Sequence, residues 1–261
     1  MSDTLYEIMR EFYGDFLKKK ESIPEVIVND SFPIVWFGDM RRFCHSKIKV
    51  VTIGLNPSNS EFPIDNPELR FPEAHEAFEQ GRMGRVCDSL NGYFNCNREP
   101  FWDWFIAYER ALGFMPFGAT YGGEKSRCPT AENFAIHLDF FSAIATCPTY
   151  GKLRKMQRKT LENTELFEKL YAYLTDNWDG DPPILTLFST SKDEICAHFG
   201  LTTKNKFYEK RYDKNALKVE AFELNNKVYI WGKPNIKPFQ GVTDEILKES
   251  LQEICHLIGI I

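Results

Sequence analysis

An amide, an acid and an ammonium are the residues of this chain best suited to chemistry. They are Asn56 in Gly54-Leu55-Asn56-Pro57-Ser58, Asp139 in His137-Leu138-Asp139, and Lys233 in Lys233-Pro234-Asn235. A carboxamide on a tight turn can hold a water through its carbonyl oxygen, ready to attack a substrate. A cation across from it can stabilise an anionic leaving group. An acceptor on a neighbouring strand can read the edge of a heterocycle, and an aromatic on a loop, Phe71 or secondly Phe62, can stack on its face. The set suits hydrolysis of an N-glycosidic bond, where the base leaves as an anion and the sugar gains oxocarbenium character. It includes no nucleophile–base pair: the sequence has no GxSxG, catalytic Cys–His, P-loop or GxGxxG signature. Each residue also has a plainer reading. Asn56-Pro57 is an ordinary turn at a strand end, and His137 with Asp139 is a hydrogen-bonded polar spot.

The elements that must position these residues follow from apolar patterning. Lys49-Val50-Val51-Thr52-Ile53-Gly54 has no polar alternation, so it reads as a strand buried on both faces. Gly54 permits close backbone approach or positive φ, and Pro57 ends further pairing. The ligand-binding end of such a strand in an open α/β sheet is its carboxyl end. Residues 135–144 form a second strand, with His137 and Asp139 on one face at period two. Residues 183–191 form a third, leading directly into a helix from Lys192 to Phe199 that Ser189, Thr190 or Ser191 would cap. Residues 218–224 and 227–232 flank Asn225-Asn226 as a hairpin whose second arm is the fourth core strand.

Helices fall between and around these strands. Leu5, Ile8, Met9, Phe12, Phe16 and Leu17 mark a helix over 3–21 capped by Asp3 or Thr4, with Lys18-Lys19-Lys20-Glu21 as its solvated end. Residues 33–39 are an edge strand or an extended lead-in. Ser58 to about Gly84 is a long loop with little periodicity, and loops of that length are usually functional or mobile. Trp102, Trp104, Phe105, Tyr108 and Leu112 give a helix closed by Gly113, with a second loop over 115–130. Lys152, Arg154, Lys155, Arg158 and Lys159 form the one dense basic run, leading into a helix through Leu161, Leu166, Leu170 and Leu174. That run is either a solvated helix start or a phosphate-binding patch. A final helix runs from Val242 to about Leu257. Alternation of strand and helix implies a three-layer α/β/α sandwich with a central, mostly parallel four-stranded sheet. The expected organisation is a single domain over 1–261 with an N-terminal helical extension over 1–47.

Composition narrows the classes. The chain has 261 residues, 43% of them hydrophobic, with 22 Phe to supply a core. No apolar run approaches the ~20 residues that span a bilayer. Seven cysteines (44, 87, 96, 128, 147, 196 and 255) never form CxxC, which points to reduced thiols, a cytoplasmic setting and no zinc or iron–sulfur centre. Five His show no paired ligand spacing, so no metal and no cofactor are expected. The net charge of −5 opposes a nucleic-acid partner except through a local patch.

On these residues the chain resembles the uracil-DNA glycosylase superfamily. Gly54-Leu55-Asn56-Pro57-Ser58 is similar to its first motif, in the Gly-x-Asn-Pro form of the mismatch-specific and single-strand-selective branches. Leu185-Thr186-Leu187-Phe188-Ser189 through Gly200-Leu201 looks like its third-strand and helix unit, and Lys233-Pro234-Asn235 falls where its second motif begins with His or Asn before Pro. The resemblance implies a monomeric DNA glycosylase that works on an extruded base. It gives Asn56 the hydrolytic water, Phe71 the stacking role, Asp139 the base-reading position and Lys233 the departing base. Gly54, Leu55, Pro57, Ser58, Pro234 and Asn235 would line the pocket, Lys152, Arg154, Lys155 and Arg158 would hold DNA, and the loop after Lys233 would press into it. Two positions depart from the pattern. Asp139 stands where Asn is common, and an ionised carboxylate only accepts hydrogen bonds, which leaves O4 of uracil unpaired unless the carboxyl is protonated and keeps a base with an exocyclic amine open as the alternative. Lys233 keeps a donor but loses ring geometry. A non-catalytic nucleic-acid or nucleotide-binding homologue, and a hydrolase of small nucleoside-like ligands, stay open as alternatives.

Overall fold

A computed structural model describes residues 2–95, 103–176, 178–212 and 217–261; Cys96 and Trp102 lie outside these residues. The described residues fall into two compact units, one from 2–41, 55–95 and 137–176, the other from 42–54, 103–136, 178–212 and 217–261.

The second unit is built on a sheet, all of whose strand residues belong to it except His137–Asp139 at the end of the third strand, which fall in the first unit. Its strands are β1 (Lys49–Gly54), β2 (Ala119–Thr120), β3 (Asn133–Asp139), β4 (Ile184–Phe188), β5 (Lys206–Tyr212), β6 (Leu217–Leu224) and β7 (Lys227–Gly232), in the order β2-β3-β1-β4-β7-β6-β5. β1, β4 and β7 run parallel in register, with Ile53 beside Phe188 and Phe188 beside Trp231. Their carboxyl ends therefore lie along one edge. β6 runs antiparallel to β7 and to β5. The sheet is thus seven-stranded and mixed, which corrects the four-stranded, mostly parallel expectation. The additions are strands that sequence pattern hides. β2 is two residues long, and β5 carries Lys206, Glu209, Lys210 and Arg211, the charged dress of an edge strand. The hairpin turn is as expected, with Asn225 at φ 54° and Asn226 at φ 60°, the left-handed pair that a two-residue turn demands.

Every residue of β1 and β4 is buried. Even Lys49 is inside, its ammonium donating to the carbonyls of Phe43, Cys44 and Ser46 at 3.0, 2.8 and 2.9 Å beyond and within helix α2 (Met40–His45). Helix α5 (Asp103–Gly113) supports the far end of β1, where the Tyr108 hydroxyl donates to the Ile53 carbonyl at 2.5 Å. Helix α8 (Lys192–Phe199) has the expected bounds, but Ser191 precedes it at φ 47° and makes no side-chain cap. The chain closes in α9 (Asp244–Leu257).

The first unit is mainly helical, with α1 (Asp3–Ser22), α3 (Ala74–Glu79), α4 (Met83–Asn91), α6 (Lys155–Leu161) and α7 (Thr164–Thr175). α1 buries Leu5, Ile8, Met9, Phe12 and Phe16 as its periodicity requires, while Leu17 is exposed. Its cap is Ser2, whose Oγ accepts from the Leu5 N–H at 3.3 Å. Lys19 is not solvated: it is buried, pairs with Asp15 at 2.8 Å and donates to the Leu161 carbonyl at the end of α6. The long Ser58–Gly84 stretch holds a 3-10 turn at Asn59–Glu61 and helix α3. Residues 33–37 run extended: the Phe37 N–H donates to His137 O at 3.0 Å, and the Ile34 N–H to Ala143 O at 2.8 Å. β3 ends two residues before Phe141, short of the expected 135–144.

Candidate active site

Asn56 lies two residues beyond the end of β1, where the chain leaves the strand. Its Nδ2 donates to the carbonyls of Pro57 (2.9 Å) and Ile144 (3.1 Å) and to Thr146 Oγ1 (3.0 Å). Two of those acceptors are carbonyls, so the NH2 must face them and the orientation of the amide is fixed. The other end, Oδ1, has no hydrogen bond among the described residues, and the side chain is only part-buried. A carbonyl oxygen held at the surface this way can accept from one water and aim it. The neighbours serve the frame. Leu55 O takes the Phe141 N–H at 2.9 Å, Pro57 O takes the Thr146 N–H at 3.3 Å, and Ser58 bridges to Thr146. The Ser58 hydroxyl caps the 3-10 turn by accepting from Ser60 N at 3.3 Å. Gly54 keeps strand geometry, with no positive φ.

Asp139 belongs to the same unit as Asn56. Its side chain is 5% exposed, with Oδ1 3.6 Å from Nε2 of the buried His137. Burial raises its pKa above the ordinary carboxylate range, and His137 only partly offsets this.

Next to it is a cluster that the sequence reading missed. Glu61 Oε2 accepts from Arg70 Nη1 at 2.9 Å and from the Tyr93 hydroxyl at 2.8 Å, and all three residues are buried. Burial raises the Glu61 pKa, Arg70 and Tyr93 oppose the rise, and the nearby Asp139 charge adds to it. Burial and Glu61 together push the Tyr93 phenol well above its usual value. Glu61 and Arg70 sit nine positions apart in an aperiodic loop, so no spacing rule links them. The available signal was a charge of each sign placed beside Phe62 and Phe71.

Phe71 is a core residue, which corrects its expected stacking role. It is 0% exposed, packed against Tyr93 (centroids 5.3 Å, planes 30° apart), Phe62 (5.8 Å, 30°) and edge-on Phe32 (5.3 Å). Rings already cover it, and Phe62 is also buried. A Phe in a long loop reads as a platform or a core plug from sequence alone; here the apolar neighbours won.

Among known proteins the comparisons are empty. No family model matches the chain, and neither does any curated protein or solved structure.

The basic run also lies in the first unit, as a 3-10 turn at Tyr150–Lys152 followed by α6. Lys152, Arg154, Lys155 and Lys159 are exposed, with Met156 73% exposed among them. Arg154 lies 3.5 Å from Glu25, and Arg158 sits over the Tyr150 ring at 5.9 Å. Tyr150 in turn stacks on Phe141 at 4.6 Å. Five residues of chain lie between Thr146, which holds Asn56, and Lys152. At full extension that spacing is about 20 Å, which bounds how far the start of the basic run lies from the amide's support.

Lys233, Pro234 and Asn235 belong to the second unit. The Lys233 N–H continues the β6–β7 ladder to Lys218 O at 2.9 Å, and Lys233 O accepts from Gly241 N at 3.0 Å, closing a loop. Its ammonium has no ion pair among the described residues. Phe239, at φ 56°, plugs the loop base against Gly232, where a Cβ would lie 2.1 Å from the ring. Ser189 Oγ accepts the Phe239 N–H at 2.9 Å and donates to Gly232 O at 2.5 Å. Gln240 Oε1 accepts from the N–H groups of Ile236 and Lys237, both at 3.1 Å. The result is a pinned loop with Ile236 79% exposed at its tip. Among the described residues no group of three metal-binding side chains occurs, and no helix is long and apolar enough to cross a membrane.

Proposed function

We propose that the chain is a DNA glycosylase-like hydrolase of the uracil-DNA glycosylase type, cleaving the N-glycosidic bond of an aberrant, extruded base. The observation that carries this reading is the Asn56 carboxamide, clamped through its NH2 by three acceptors with its carbonyl oxygen open. Oδ1 accepts a hydrogen bond from the attacking water and points the water's lone pair at C1′. The anomeric carbon needs little nucleophilic push once oxocarbenium character develops, so orientation rather than strong base is what the amide supplies. Asp139 faces the base edge, able in its protonated form to accept and to donate. The exposed basic run on α6 supports a phosphate backbone as partner despite the net charge of −5. The pinned loop with Ile236 at its tip suits a wedge between stacked bases. A three-layer α/β/α arrangement, a monomer and a cytoplasmic setting belong to the same proposal.

The second reading is a nucleic-acid or nucleotide-binding homologue without catalysis, favoured by one observation: Phe71 is sealed into the core and offers no open face to a base. One experiment separates the two. Oligonucleotides carrying uracil, hypoxanthine or an alkylated base are incubated with the protein, and abasic sites are revealed by alkaline cleavage. Strand breaks at the modified position support the glycosylase; retention without breaks supports the binding homologue.

A further inference from the structure

The outer strands of the second unit carry a row of cations whose members are too scattered in sequence for any pattern to join. The ladder sets Arg211 of β5 opposite Lys218 of β6. The bond from Lys233 N–H to Lys218 O continues the β6–β7 register by one pair, so Lys233 stands on the other side of Lys218. Two residues along each strand, and so on the same face, stand Glu209, Glu220 and Trp231, again opposite one another. Ion pairs tie the two rows together. Buried Glu220 pairs with Lys192, the first residue of α8, at 2.5 Å and with Lys218. Glu209 pairs with Arg211 at 2.5 Å, with Lys218 at 3.6 Å and with Lys206. Four cations therefore share two carboxylates, and two positive charges have no counter-charge among the described residues. Asp193 and Glu194, next on α8, form no ion pair with any of the four among those residues.

Both carboxylates are ionised, so the excess is real. Burial opposes charge on Glu220, yet Lys192 and Lys218 hold its pKa below the ordinary value. The hydrogen bond from Lys206, with Arg211, holds Glu209 at about 2. Lys233 adds a further cation. Like charges directly opposite each other weaken a sheet, so a row of Arg211, Lys218 and Lys233 works against the fold until an anion joins it. Neighbours in the row have Cβ atoms about 5 Å apart, close enough for two of them to donate to one phosphate group. The Arg211 side chain is 66% exposed and bonds to Glu209 through Nε, which leaves its two Nη groups for a bidentate contact. Lys192 and Lys218 are partly open, and Lys192 is steadied over the Trp231 ring at 4.4 Å.

We propose that this face of β5, β6 and β7 is a binding site for the phosphate group of a small ligand, of the phosphomonoester or diphosphate class. An excess of two charges, or three with Lys233, matches the charge of those groups; a single phosphodiester carries one and leaves the row unbalanced. The site lies in the second unit and does not depend on the glycosylase reading.

The test is calorimetric titration of the full chain, in metal-free buffer, with inorganic pyrophosphate, adenosine 5′-monophosphate and an unmodified oligonucleotide. Pyrophosphate or the monophosphate is expected to bind saturably at one site, and whichever binds more tightly names the class. Arg211→Gln and Lys218→Gln should each weaken that binding about 10-fold or more. Lys204→Gln, an equal charge change at an exposed position before β5 and outside both rows, should leave it within about twofold. Arg211 is a surface residue, so its variant keeps the test sound if Lys218→Gln fails to fold. Pyrophosphate should also raise the thermal midpoint of the wild type and not that of Arg211→Gln. No saturable binding of either small phosphate by the wild type, or equal weakening in Lys204→Gln, overturns the proposal. Binding of the oligonucleotide alone, lost in Arg211→Gln, overturns it too and makes the face a nucleic-acid contact. None of these results bears on base release, so the two readings fail separately.

Discussion

At the scale of single residues, the account depends on what each polar group is bonded to. Glu61 is the clearest structural case. Replacing it with Ala leaves the Arg70 guanidinium buried without its carboxylate, and breaking such a pair typically costs about 3–5 kcal/mol. Urea denaturation of Glu61→Ala should show a loss of this size; a loss below about 1 kcal/mol would mean the pair is not a buried ion pair. Cysteine chemistry follows burial in the same way. Burial pushes the Cys87 and Cys255 thiols up to about 12, whereas Cys147 is exposed. In native protein a thiol reagent is expected to modify Cys147 first, with Cys87 and Cys255 reacting only on unfolding. Mass mapping of the first labelled peptide checks this. Single residues were also where the sequence misled. Asn56 could be singled out because a strand ended beside it. Phe71 could not be placed, because stacking platform and core plug have the same composition and only tertiary packing separates them.

At the scale of elements, periodicity was a good guide wherever one face of an element is buried. α1 and α8 have close to their expected bounds, and the Asn225-Asn226 hairpin is the one its turn residues require. β5 was illegible because an edge strand alternates charged and aromatic residues and buries little. The Glu61–Arg70 pair was illegible because ion pairs across a loop carry no period. Two predictions belong here. The β7–α9 loop is pinned where Phe239 fills the space beside Gly232, so a Cβ there has nowhere to go. Gly232→Ala should lose about 1–3 kcal/mol, measured by urea denaturation; wild-type stability would show that the loop base is not tightly packed. The basic turn and α6 should act on nucleic acid through charge. Replacing Lys152, Lys155 and Lys159 with Ala is expected to lower the slope of log affinity against log salt by about 0.7 to 0.9 for each phosphate contact removed. An unchanged slope would make the run an ordinary solvated helix start.

At the scale of the whole molecule, titration links the buried acids to stability. Burial raises the pKa of Glu61, Asp139 and Glu109; Glu109 is opposed by hydrogen bonds from Thr120, Tyr121 and Arg127. The folded protein then binds protons more tightly than the unfolded chain at these sites. Stability they contribute is fully present below the ordinary carboxylate pKa and is lost as pH rises through the raised values. Glu209 acts in the opposite sense, held at about 2 by its hydrogen bond to Lys206 and by Arg211, so what it contributes is full above the ordinary carboxylate pKa and is lost as pH falls from there through about 2. The net charge of −5 gives the chain no general attraction to a polyanion. Any nucleic-acid partner must be held by the local cations near residue 152.

The central claim is that the fixed Asn56 amide aims the attacking water. Its most direct test is the single-turnover rate at which wild type and Asn56→Ala release a modified base from an oligonucleotide, with thermal unfolding followed alongside. The expected result is a drop of about 10²-fold or more, with the variant still folding cooperatively. A folded variant that releases the base as fast as the wild type would contradict the account.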